Sequence, residues 1–411
     1  LYGAWLILAG AAAMISMMDL GLSTAAVRQV AIDHAAGRDA EARGVRSGAL
    51  SLVGVGGAIV VLAIAVIGSL APIAHWLALG ALTNGEAAAV LALSIASAVF
   101  SLMNMLTVCG MYGSAMTVRA SALVDARVLA ANAAVPVCAL AGGGVVAAAA
   151  AQCAVAAIGC LIAVLLDRRW APWIWRGERI GRLDAVRRIR GAAIRSASVQ
   201  MARIGEIVVS NLLVNHVAGA AAVAAFAICR SIASYLVIVG GIVVRAVMLE
   251  VSGAAGLGDH DRVRFLARLA GSATHYAAII LGLAIAAAGP LFLFTLLAGA
   301  ETAFPAAVFA ALLAAGALHT ATMGPITPLL GANRMEGVMG AAAAQLTVGT
   351  AASFGFSLLF GAAGVALGNV IAAALFWLLV HRLCLRMTED HPASYIRGIV
   401  TAQGLRALIG Q

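Results

Sequence analysis

Residues 167–195 read DRRWAPWIWRGERIGRLDAVRRIRGAAIR, and this basic stretch decides how the rest of the chain is arranged. It holds nine of the chain's 26 basic residues, and all 26 are Arg. A charge in hydrocarbon is costly, so the stretch is expected to be aqueous or interfacial. Because Arg-rich loops remain on the cytoplasmic side of a membrane, the stretch predicts its own location in the cytoplasm and the orientation of its neighbours.

The basic stretch allows two interpretations. In one it is a solvated linker that binds nothing. In the other it lies on the anionic leaflet as an amphipathic element, with Trp170, Trp173 and Trp175 at the level of the lipid headgroups. In both interpretations it is part of a cytoplasmic linker at 167–196 that separates two transmembrane bundles. The first bundle is at 1–166 and the second at 197–384, and a cytoplasmic or interfacial tail follows at 385–411.

The composition predicts an integral membrane protein. Of the 411 residues, 63% are hydrophobic and 10% are charged, and the mean hydropathy is +1.04. A soluble domain this apolar would aggregate, so membrane lipids are expected partners. The net charge of +9 belongs to the Arg-rich loops and does not indicate a nucleic-acid surface. The six Cys show no metal-ligand spacing, so no metal is predicted.

Eleven stretches are long and apolar enough to cross a bilayer as helices. They are 1–19, 48–73, 87–108, 122–141, 144–166, 197–216, 223–247, 273–297, 305–330, 337–359 and 362–383. The loops between them alternate between Arg-containing and Arg-free, and this alternation supports both the spans and the orientation.

The two halves of the chain resemble each other. A shift of 220 residues superposes Asp39 on Asp259 and Glu41 on Asp261, each time just before a long helix. Since the first span runs inward, a preceding helix is expected, which gives six helices per half. We therefore predict an all-α membrane protein with two pseudo-symmetric six-helix bundles around a central cavity, of which eleven helices are present.

Three charged residues inside predicted spans are the main candidates for function. Arg230 lies about two turns into its span, where it either binds an anionic group or snorkels and pairs structurally. Arg203 and Glu206 share a helix face. They either neutralise each other or line a cavity, with Arg203 binding substrate and Glu206 coupling transport to a proton or cation.

Three further candidates lie at the end of the first span or just after it, namely Asp19, Gly21 and Arg28. Asp19 ends that span, Gly21 turns the chain, and Ser23 caps the next helical segment. Arg28 is expected to face a lipid phosphate and is a third candidate for substrate binding, after Arg230 and Arg203.

Other polar or helix-breaking residues lie deep in the apolar sequence. His319 is either a packed residue or part of a proton relay. Pro325 and Pro328 either end their helix or form a hinge for gating. Asn211 and Gln345 either join helices or contact sugars.

Sequence signatures of enzymes are missing. The chain contains no nucleophile elbow, zinc-protease motif, phosphate-binding loop or dinucleotide-binding loop in the required context. The Arg-free loops are too short to hold an active-site domain. We therefore predict a protein without enzymatic activity, catalytic residues or cofactor.

Two motifs resemble those of polysaccharide-biosynthesis flippases, the O-antigen-type transporters of lipid-linked oligosaccharides. These transporters belong to the multidrug/oligosaccharidyl-lipid/polysaccharide exporter superfamily. The first motif is matched by Tyr2, Gly3, Trp5, Asp19, Leu20, Gly21, Leu22 and Arg28. The second, looser motif is matched by Glu206, Gly219, Phe226 and Arg230, where Glu206 replaces the more usual Asp and Phe226 the usual Tyr.

The resemblance implies a V-shaped fold with a cationic central cavity in the bacterial inner membrane. The implied substrate is a polyprenyl-pyrophosphate-linked oligosaccharide, moved between leaflets by alternating access for O-antigen or exopolysaccharide synthesis. Arg230, then Arg203, would meet the pyrophosphate, and the lipid tail would lie in a groove open to the bilayer. Polysaccharide-assembly proteins are further expected partners.

Three alternatives remain open at this point. One is a scaffold for a polysaccharide-assembly complex, which would keep its full function after the charge of Arg230 is neutralised. A cation-coupled multidrug antiporter of the same superfamily should line its cavity with acids, whereas this chain offers Glu206 against Arg230 and Arg203. A membrane glycosyltransferase or polymerase would need a catalytic acid or His on the Arg-free side.

Overall fold

The computed structural model describes residues 21–70, 82–114, 116–176, 183–290, 294 and 304–401. All regular secondary structure in these residues is helical, which confirms the predicted all-α fold. The chain forms two compact units, unit 1 at Leu1–Ala197 and unit 2 at Ser198–Gln411. The predicted span at 1–19 and its terminal Asp19 lie outside the described residues.

The described part of unit 1 contains six α-helices, a 3₁₀ turn and the beginning of a seventh helix. A capping box starts the helix at Asn84: the Thr83 hydroxyl accepts a hydrogen bond from the Glu86 backbone N–H, and the Glu86 carboxylate accepts one from the Thr83 backbone N–H. The helices are α1 Leu22–Ala35, α2 Asp39–Leu70, α3 Asn84–Thr107, α4 Cys109–Gly113, α5 Thr117–Leu140, α6 Val145–Trp170 and the start of α7 Leu183–Leu257, and the 3₁₀ turn is Pro172–Trp175.

The described part of unit 2 contains the remainder of α7 and four further helices. These are α8 His260–Ala288, α9 Ala306–Gly331, α10 Glu336–Thr388 and α11 Pro392–Val400. Two glycines interrupt the long helices, Gly219 in α7 with φ 79° and Gly361 in α10 with φ 56°. Glycine adopts positive φ without the steric cost of a Cβ atom. We call the parts before and after these glycines α7a (183–218), α7b (220–257), α10a (336–360) and α10b (362–388).

Both glycine breaks reverse the direction of the chain. The side chain of Arg230 on α7b reaches back to Ile207 and Asn211 on α7a. The hydroxyl of Ser353 on α10a likewise lies within hydrogen-bond distance of the Val365 carbonyl on α10b. Each long helix is therefore an antiparallel hairpin, so α7 and α10 each contribute two helical segments to unit 2.

The described helices account for ten of the eleven predicted spans. Nine helices in the described part of the chain are long and apolar enough to cross a membrane when α7a and α7b are counted separately and α10 is counted once. Because α10 is a hairpin that supplies two spans, these nine helices contain ten spans. Large apolar side chains point away from the protein core, for example Leu62, Leu283 and Leu359, which are 66%, 68% and 73% exposed. Such faces suit contact with lipid, and the prediction of a polytopic membrane protein is confirmed.

The two units repeat the same order of helices. The helices α2, α3 and α5 of unit 1 begin at Asp39, Asn84 and Thr117, whereas α8, α9 and α10 of unit 2 begin at His260, Ala306 and Glu336. These starts are separated by close to the 220 residues that the sequence predicts. The matched acids also lie at equivalent helix starts, because Asp39 begins α2 and Asp259 caps α8 by accepting from the Arg262 backbone N–H.

The aromatic part of the basic stretch folds onto unit 1. The Trp173 ring stacks on His34 at 3.7 Å between centroids, and its indole N–H donates to the Ser114 hydroxyl. The indole N–H of Trp175 donates to Asp167, which is fully buried in the last turn of α6. The protein itself therefore supplies the hydrogen-bond acceptors and a stacking partner of these two Trp, and their location at headgroup level stays a prediction.

The terminal helix α11 packs against α8. Arg268 on α8 donates two hydrogen bonds of 2.7 Å to the carboxylate of Asp390, immediately before α11. Tyr395 on α11 is fully buried, and burial together with nearby Cys384 and Asp390 raises its pKa well above the usual value. Ile396 and Arg397 are exposed on the other face. One face of α11 therefore belongs to the core of unit 2.

Candidate functional site

A cavity of about 270 Å³ lies inside unit 2, between α7a, α7b, α9 and α10b. Its wall combines charged and polar groups with an apolar surface. The apolar part includes Ala233 and Leu312, and the close approach of α9 to α7b there depends on Gly316, since a Cβ at that position would lie 2.9 Å from the Ala233 carbonyl oxygen. The polar and charged lining residues include Arg203, Glu206, Arg230, Ser231, His319 and Asn369.

The fold brings Arg203, Glu206 and Arg230 to this one cavity. Arg203 and Glu206 lie one helical turn apart on α7a and share its inner face, as their spacing predicts. Arg230 reaches the same cavity from α7b because the turn at Gly219 folds α7b back along α7a. Residues that are 27 positions apart in sequence, such as 203 and 230, therefore line one space.

Glu206 has partners on two other helices. Gln345 on α10a donates a hydrogen bond of 2.7 Å from Nε2 to Glu206 Oε2. His319 on α9 lies on the opposite side of the carboxylate, with Nε2 3.8 Å from Oε1. The Glu206 and His319 side chains are only 14% and 13% exposed. A proton shared with or bound near this carboxylate would therefore affect the contacts among α7a, α9 and α10a.

Arg230 is positioned by neutral groups. Its Nη2 donates to Asn211 Oδ1 at 3.0 Å, and its Nη1 lies 3.5 Å from the Ile207 carbonyl oxygen. The guanidinium carbon also lies 5.7 Å from the centroid of the Phe226 ring, which favours a cation above its face. These contacts orient the guanidinium through neutral groups, without a described ion pair.

Neither cavity Arg forms an ion pair with any residue that the structure describes. The described hydrogen bond to Glu206 comes from Gln345, and the interpretation in which Arg203 and Glu206 neutralise each other stays a prediction. The cavity thus presents two guanidinium groups and one carboxylate that is already hydrogen-bonded. Such an arrangement suits an anionic ligand.

Asn369 is a cavity residue that the sequence does not single out. Its side-chain oxygen accepts from the Ser210 hydroxyl at 3.0 Å and lies 3.5 Å from the Ser353 hydroxyl. It is 5% exposed and lies on α10b, in an apolar stretch where a small polar side chain gives little signal. His319 carries a clearer signal, since an ionisable side chain in mid-span is rare. Its proximity to Glu206 appears only in the folded chain.

Arg28 lies in unit 1 and has no access to lipid phosphate. It is fully buried, and Nη2 donates to the Ser196 hydroxyl at 2.8 Å. Burial lowers the pKa of its guanidinium to about 10. The expectation that Arg28 faces a lipid headgroup is therefore wrong in this structure, because the beginning of α7 covers it.

Gly21 turns the chain into α1, as predicted. Its φ is 68°, and a Cβ at this position would lie 2.7 Å from Ser196 Cβ. Both the backbone conformation and the close packing require glycine. Ser23, which is expected to cap the helix, lies inside α1 instead, because the cap position is Gly21 itself.

Pro325 and Pro328 lie inside α9, and the helix continues beyond both to Gly331. The prolines thus lie in the last two turns of the helix, which ends three residues after Pro328. Both side chains are buried, and a proline removes a backbone donor from the helix at its position. A gating role for this segment stays a prediction.

No group of three or more His, Cys, Asp and Glu side chains that could hold a metal ion occurs in the described parts of the chain. The titratable cavity groups Glu206 and His319 form a pair, which is too few ligands for a typical metal site.

The fold and cavity define a polytopic helical membrane protein with a charged internal site, and the comparisons with known proteins extend this description. No model of a protein family matches the sequence, and no curated protein matches it. Solved structures of MATE transporters, by contrast, resemble the chain over nearly its whole length.

Three of these structures illustrate the likeness. A mutant MATE has a TM-score of 0.79 at 17% identity, covering 94% of this chain and 88% of its own. A MATE in the straight conformation has a TM-score of 0.77 at 17% identity, with the same coverage. The Vibrio cholerae MATE transporter VcmN in the bent form has a TM-score of 0.73 at 19% identity, covering 93% of this chain and 89% of its own.

At these identities the likeness shows the fold. The chain therefore has a MATE-like fold.

Proposed function

We propose that this protein is a transporter that moves a polyprenyl-pyrophosphate-linked oligosaccharide across the bacterial inner membrane for polysaccharide synthesis. The observation that carries the proposal is the pair of guanidinium groups, Arg203 and Arg230, which line one cavity without an ion-pair partner among the described residues. The MATE-like fold supports a membrane exporter, and the cavity charges favour an anionic substrate over a cationic one.

The chemistry of Arg fits the pyrophosphate of such a substrate. The planar guanidinium binds phosphate oxygens through two parallel hydrogen bonds, and such charge-assisted bonds are stronger than neutral ones. The apolar surroundings of the cavity strengthen the attraction further, since the local dielectric constant is low. The two guanidinium groups outnumber the one carboxylate on the cavity wall, so an anion that enters offsets part of their desolvation.

The size of the cavity suits a headgroup and excludes a long lipid tail. A volume of about 270 Å³ holds the pyrophosphate and part of a sugar. For the tail, unit 2 has an apolar groove of about 500 Å³ between α7a and α10a, lined by Leu213, Leu346 and Phe354 among others. Leu346 directly follows Gln345, the partner of Glu206, so the same helix, α10a, lines the groove and contacts the polar site.

Glu206 is the proposed coupling residue. A carboxylate that faces a His at 3.8 Å and accepts from Gln345 changes its contacts when it gains a proton or a cation. Because these contacts join α7a to α9 and α10a, occupancy of Glu206 alters the packing around the cavity. Coupling of this kind lets an ion gradient drive alternating access.

Orientation follows from the Arg-rich loops. We propose that these loops face the cytoplasm, as the positive-inside rule predicts. Arg28 is left out of the proposed substrate site, because it is buried in unit 1 against Ser196.

A cation-coupled multidrug antiporter is the second candidate function. The MATE-like fold and the carboxylate of Glu206 in the cavity favour it. The two candidates differ in the sign of the substrate charge. An antiporter for cations would gain from removal of Arg203 or Arg230, whereas a carrier of pyrophosphate would lose.

A complementation experiment tests the proposal. A bacterial strain that lacks its oligosaccharide flippase receives the gene as wild type, as Arg230→Ala or as Arg245→Ala. Arg245 also lies on α7b, is exposed and is not part of the cavity lining, so it is a matched control. We expect surface polysaccharide to return with wild type and Arg245→Ala and to fall at least tenfold with Arg230→Ala at equal membrane abundance.

Each other outcome has a clear meaning. Equal rescue by all three genes would remove Arg230 from the transport path. Failure of all three, combined with efflux of cationic dyes by the wild type that rises in Arg230→Ala, would favour the antiporter.

A further inference from the structure

Asn369 is a neutral amide on the cavity wall. It lies on α10b and shares the cavity with Arg203 of α7a and Arg230 of α7b. Polar groups from three helical segments thus face one space. Its side chain is buried among apolar neighbours such as Val365 and Ala366, where an amide is stable only when hydrogen-bonded.

Two buried serines determine which end of the amide faces the cavity. The Ser210 hydroxyl of α7a donates to Asn369 Oδ1 at 3.0 Å, and the Ser353 hydroxyl of α10a lies 3.5 Å from the same oxygen. Both serines are almost completely buried, at 2% exposure. Because Oδ1 is engaged on the protein side, the amide N–H₂ group remains for the cavity. No acceptor for it occurs among the described residues.

Close packing keeps Asn369 in place. The two arms of the α10 hairpin approach each other so closely beside it that a side chain at Gly368 would collide with the backbone of Ser353. One turn further, a Cβ at Gly349 would lie 2.6 Å from the Cβ of Ala372. The amide is therefore held by a rigid pair of helices and by two hydroxyl groups, which is how a binding group is positioned before its ligand arrives.

We propose that Asn369 is a substrate-contacting residue that donates a hydrogen bond from Nδ2 to an oxygen of the headgroup held by Arg203 and Arg230. This inference rests on the proposed function. The accepting oxygen belongs either to a phosphate or to the first sugar, and both offer the acceptor that Nδ2 requires. A buried donor rejects a ligand that lacks an acceptor, so Asn369 also discriminates against apolar cations.

Ser210 acts on the substrate through Asn369 as a positioning residue. Its hydroxyl donates to Oδ1 and so prevents the amide from rotating by half a turn, which would present the oxygen to the anion instead. Removal of this hydroxyl leaves the donor in place but frees its orientation. The two residues should therefore behave as one unit in a double-mutant cycle.

Binding measurements with purified protein in lipid nanodiscs test the proposal. The probes are farnesyl pyrophosphate and the same lipid carrying one N-acetylglucosamine. The variants are Asn369→Asp, which keeps the acceptor for Ser210 and loses the donor, Asn369→Ala, and Ser210→Ala. The control is Asn84→Asp, which adds the same charge at the exposed start of α3 in unit 1. Thermal unfolding of each variant verifies that it is folded.

The expected losses differ between the variants. Loss of one hydrogen bond to a charged or strongly polar oxygen weakens binding by about tenfold, so this is the expectation for Asn369→Ala. Asn369→Asp should weaken binding more, because it also introduces negative charge beside the anion. Ser210→Ala should weaken binding by about threefold, which is less than the loss in Asn369→Ala. The double variant Ser210→Ala/Asn369→Ala should bind the probe as tightly as Asn369→Ala alone.

The two probes separate the possible sources of the oxygen. Weaker binding of both probes by Asn369→Ala assigns the contact to phosphate, and weaker binding of the glycosylated probe alone assigns it to the sugar. If wild type binds both probes and Asn369→Ala binds them equally well, the inference is overturned while the proposed function stands. If wild type binds neither probe, the proposed function fails, and this inference fails with it.

Discussion

Unit 1 and unit 2 both bury charged side chains among apolar helices, but they treat these charges differently. In unit 1 the buried carboxylate of Asp167 is surrounded by partners. It accepts from the Met111 backbone N–H at 3.0 Å and from the Trp175 indole at 2.7 Å, and Arg46 lies 3.8 Å away. The Arg46 guanidinium also lies 3.7 Å above the centroid of the Trp175 ring. These groups enclose one another and satisfy the buried carboxylate from within the protein.

In unit 2 the charges of Arg203 and Arg230 line an open cavity. Neutral atoms orient Arg230, and Glu206 accepts from Gln345 rather than from either guanidinium. A buried charge without a partner of opposite sign lowers stability, so this arrangement is unfavourable for folding alone. Groups that are suboptimal for stability are typical of functional sites. The difference indicates that Asp167 and Arg46 of unit 1 maintain structure, whereas Arg203 and Arg230 of unit 2 are available to a ligand.

The largest effect on stability is expected for Asp167→Ala in unit 1. Removal of the carboxylate leaves Arg46 buried without its counterion and leaves the Met111 and Trp175 donors without an acceptor. Removing one partner of a buried pair costs about 3–5 kcal/mol. We expect the thermal unfolding temperature in detergent to fall by on the order of 10 °C.

Asp125→Ala is the control for this experiment. Asp125 belongs to the same unit but is exposed on α5, so its removal should change the free energy of unfolding by less than about 0.5 kcal/mol. Equal melting of the two variants would mean that the group around Asp167 does not support unit 1, and the contrast between the two units would disappear.

An intermediate effect is expected for Gly219→Ala, which tests the turn that brings the two arms of α7 together in unit 2. Gly219 has φ 79° and ψ 174°, a conformation that is almost restricted to glycine. No atom lies within 4 Å of a Cβ built there, so the expected cost is backbone strain alone. Strain of this kind is about 1–3 kcal/mol. Denaturant unfolding in mixed micelles measures it.

Gly282→Ala is the matched control for Gly219→Ala. Gly282 lies inside α8, also has open space around its Cβ position, and does not have positive φ. In a helix interior, Ala is more favourable than Gly by about 0.5–1 kcal/mol, so this variant should be neutral or more stable. If both variants were equally stable, the turn at Gly219 would tolerate a side chain and would not determine how Arg230 reaches the cavity.

The sequence predicts the helices of both units well because their signal is local. A span needs about 20 apolar residues, and the loops carry Arg on alternate sides, so hydropathy and charge together identify ten spans that the described helices contain. The repeat of Asp39 at Asp259 is also local, since both residues begin a helix. Gly21 and Arg230 are found from their positions at the end of a span and inside one, and Gly219 is found by motif resemblance.

Contacts between segments that are distant in the chain could not be predicted from the sequence. Asp167 belongs to a basic stretch and therefore looks aqueous, although α4 and the turn at Pro172–Trp175 bury it. Arg28 looks interfacial, although Ser196 and its neighbours cover it. Asn369 gives no signal at all, since its role depends on two serines that lie 159 and 16 residues away. Periodicity identifies a helix face but not the residues that it meets.

A small effect on stability and a large effect on transport are expected for Arg203→Met in unit 2. Methionine has a similar length and removes a buried charge that no described ion pair compensates, so the free energy of unfolding should stay the same or rise. Substrate affinity should fall about tenfold or more, because a charge-assisted contact is lost. Binding of farnesyl pyrophosphate and thermal unfolding of the same preparation provide the two readouts, with Arg245→Met as control. A large loss of stability in Arg203→Met would make its role structural, like that of Arg46.

The smallest effect on stability is expected for Glu206→Gln, which tests the coupling role of the carboxylate. The glutamine oxygen can still accept from Gln345 Nε2, and the side chain keeps its length, so the free energy of unfolding should change by less than about 1 kcal/mol. A neutral amide binds neither a proton nor a cation in the relevant pH range. Transport in proteoliposomes should therefore continue down a substrate gradient but no longer respond to an imposed ion gradient.

Glu250→Gln is the appropriate comparison for Glu206→Gln, because Glu250 is an exposed acid of unit 2 that lies 3.5 Å from Arg262, outside the cavity. This variant should keep the response to the ion gradient. If Glu206→Gln also kept it, the carboxylate would serve only to hold Gln345 and His319, and coupling would have to involve another acid. If Glu206→Gln instead lost binding of the anionic probe, the carboxylate would act by orienting Arg203 and Arg230. Either result would give Glu206 a supporting role like that of Asp167 in unit 1. Arg203 and Arg230 would then be the two charged groups that distinguish unit 2 from unit 1.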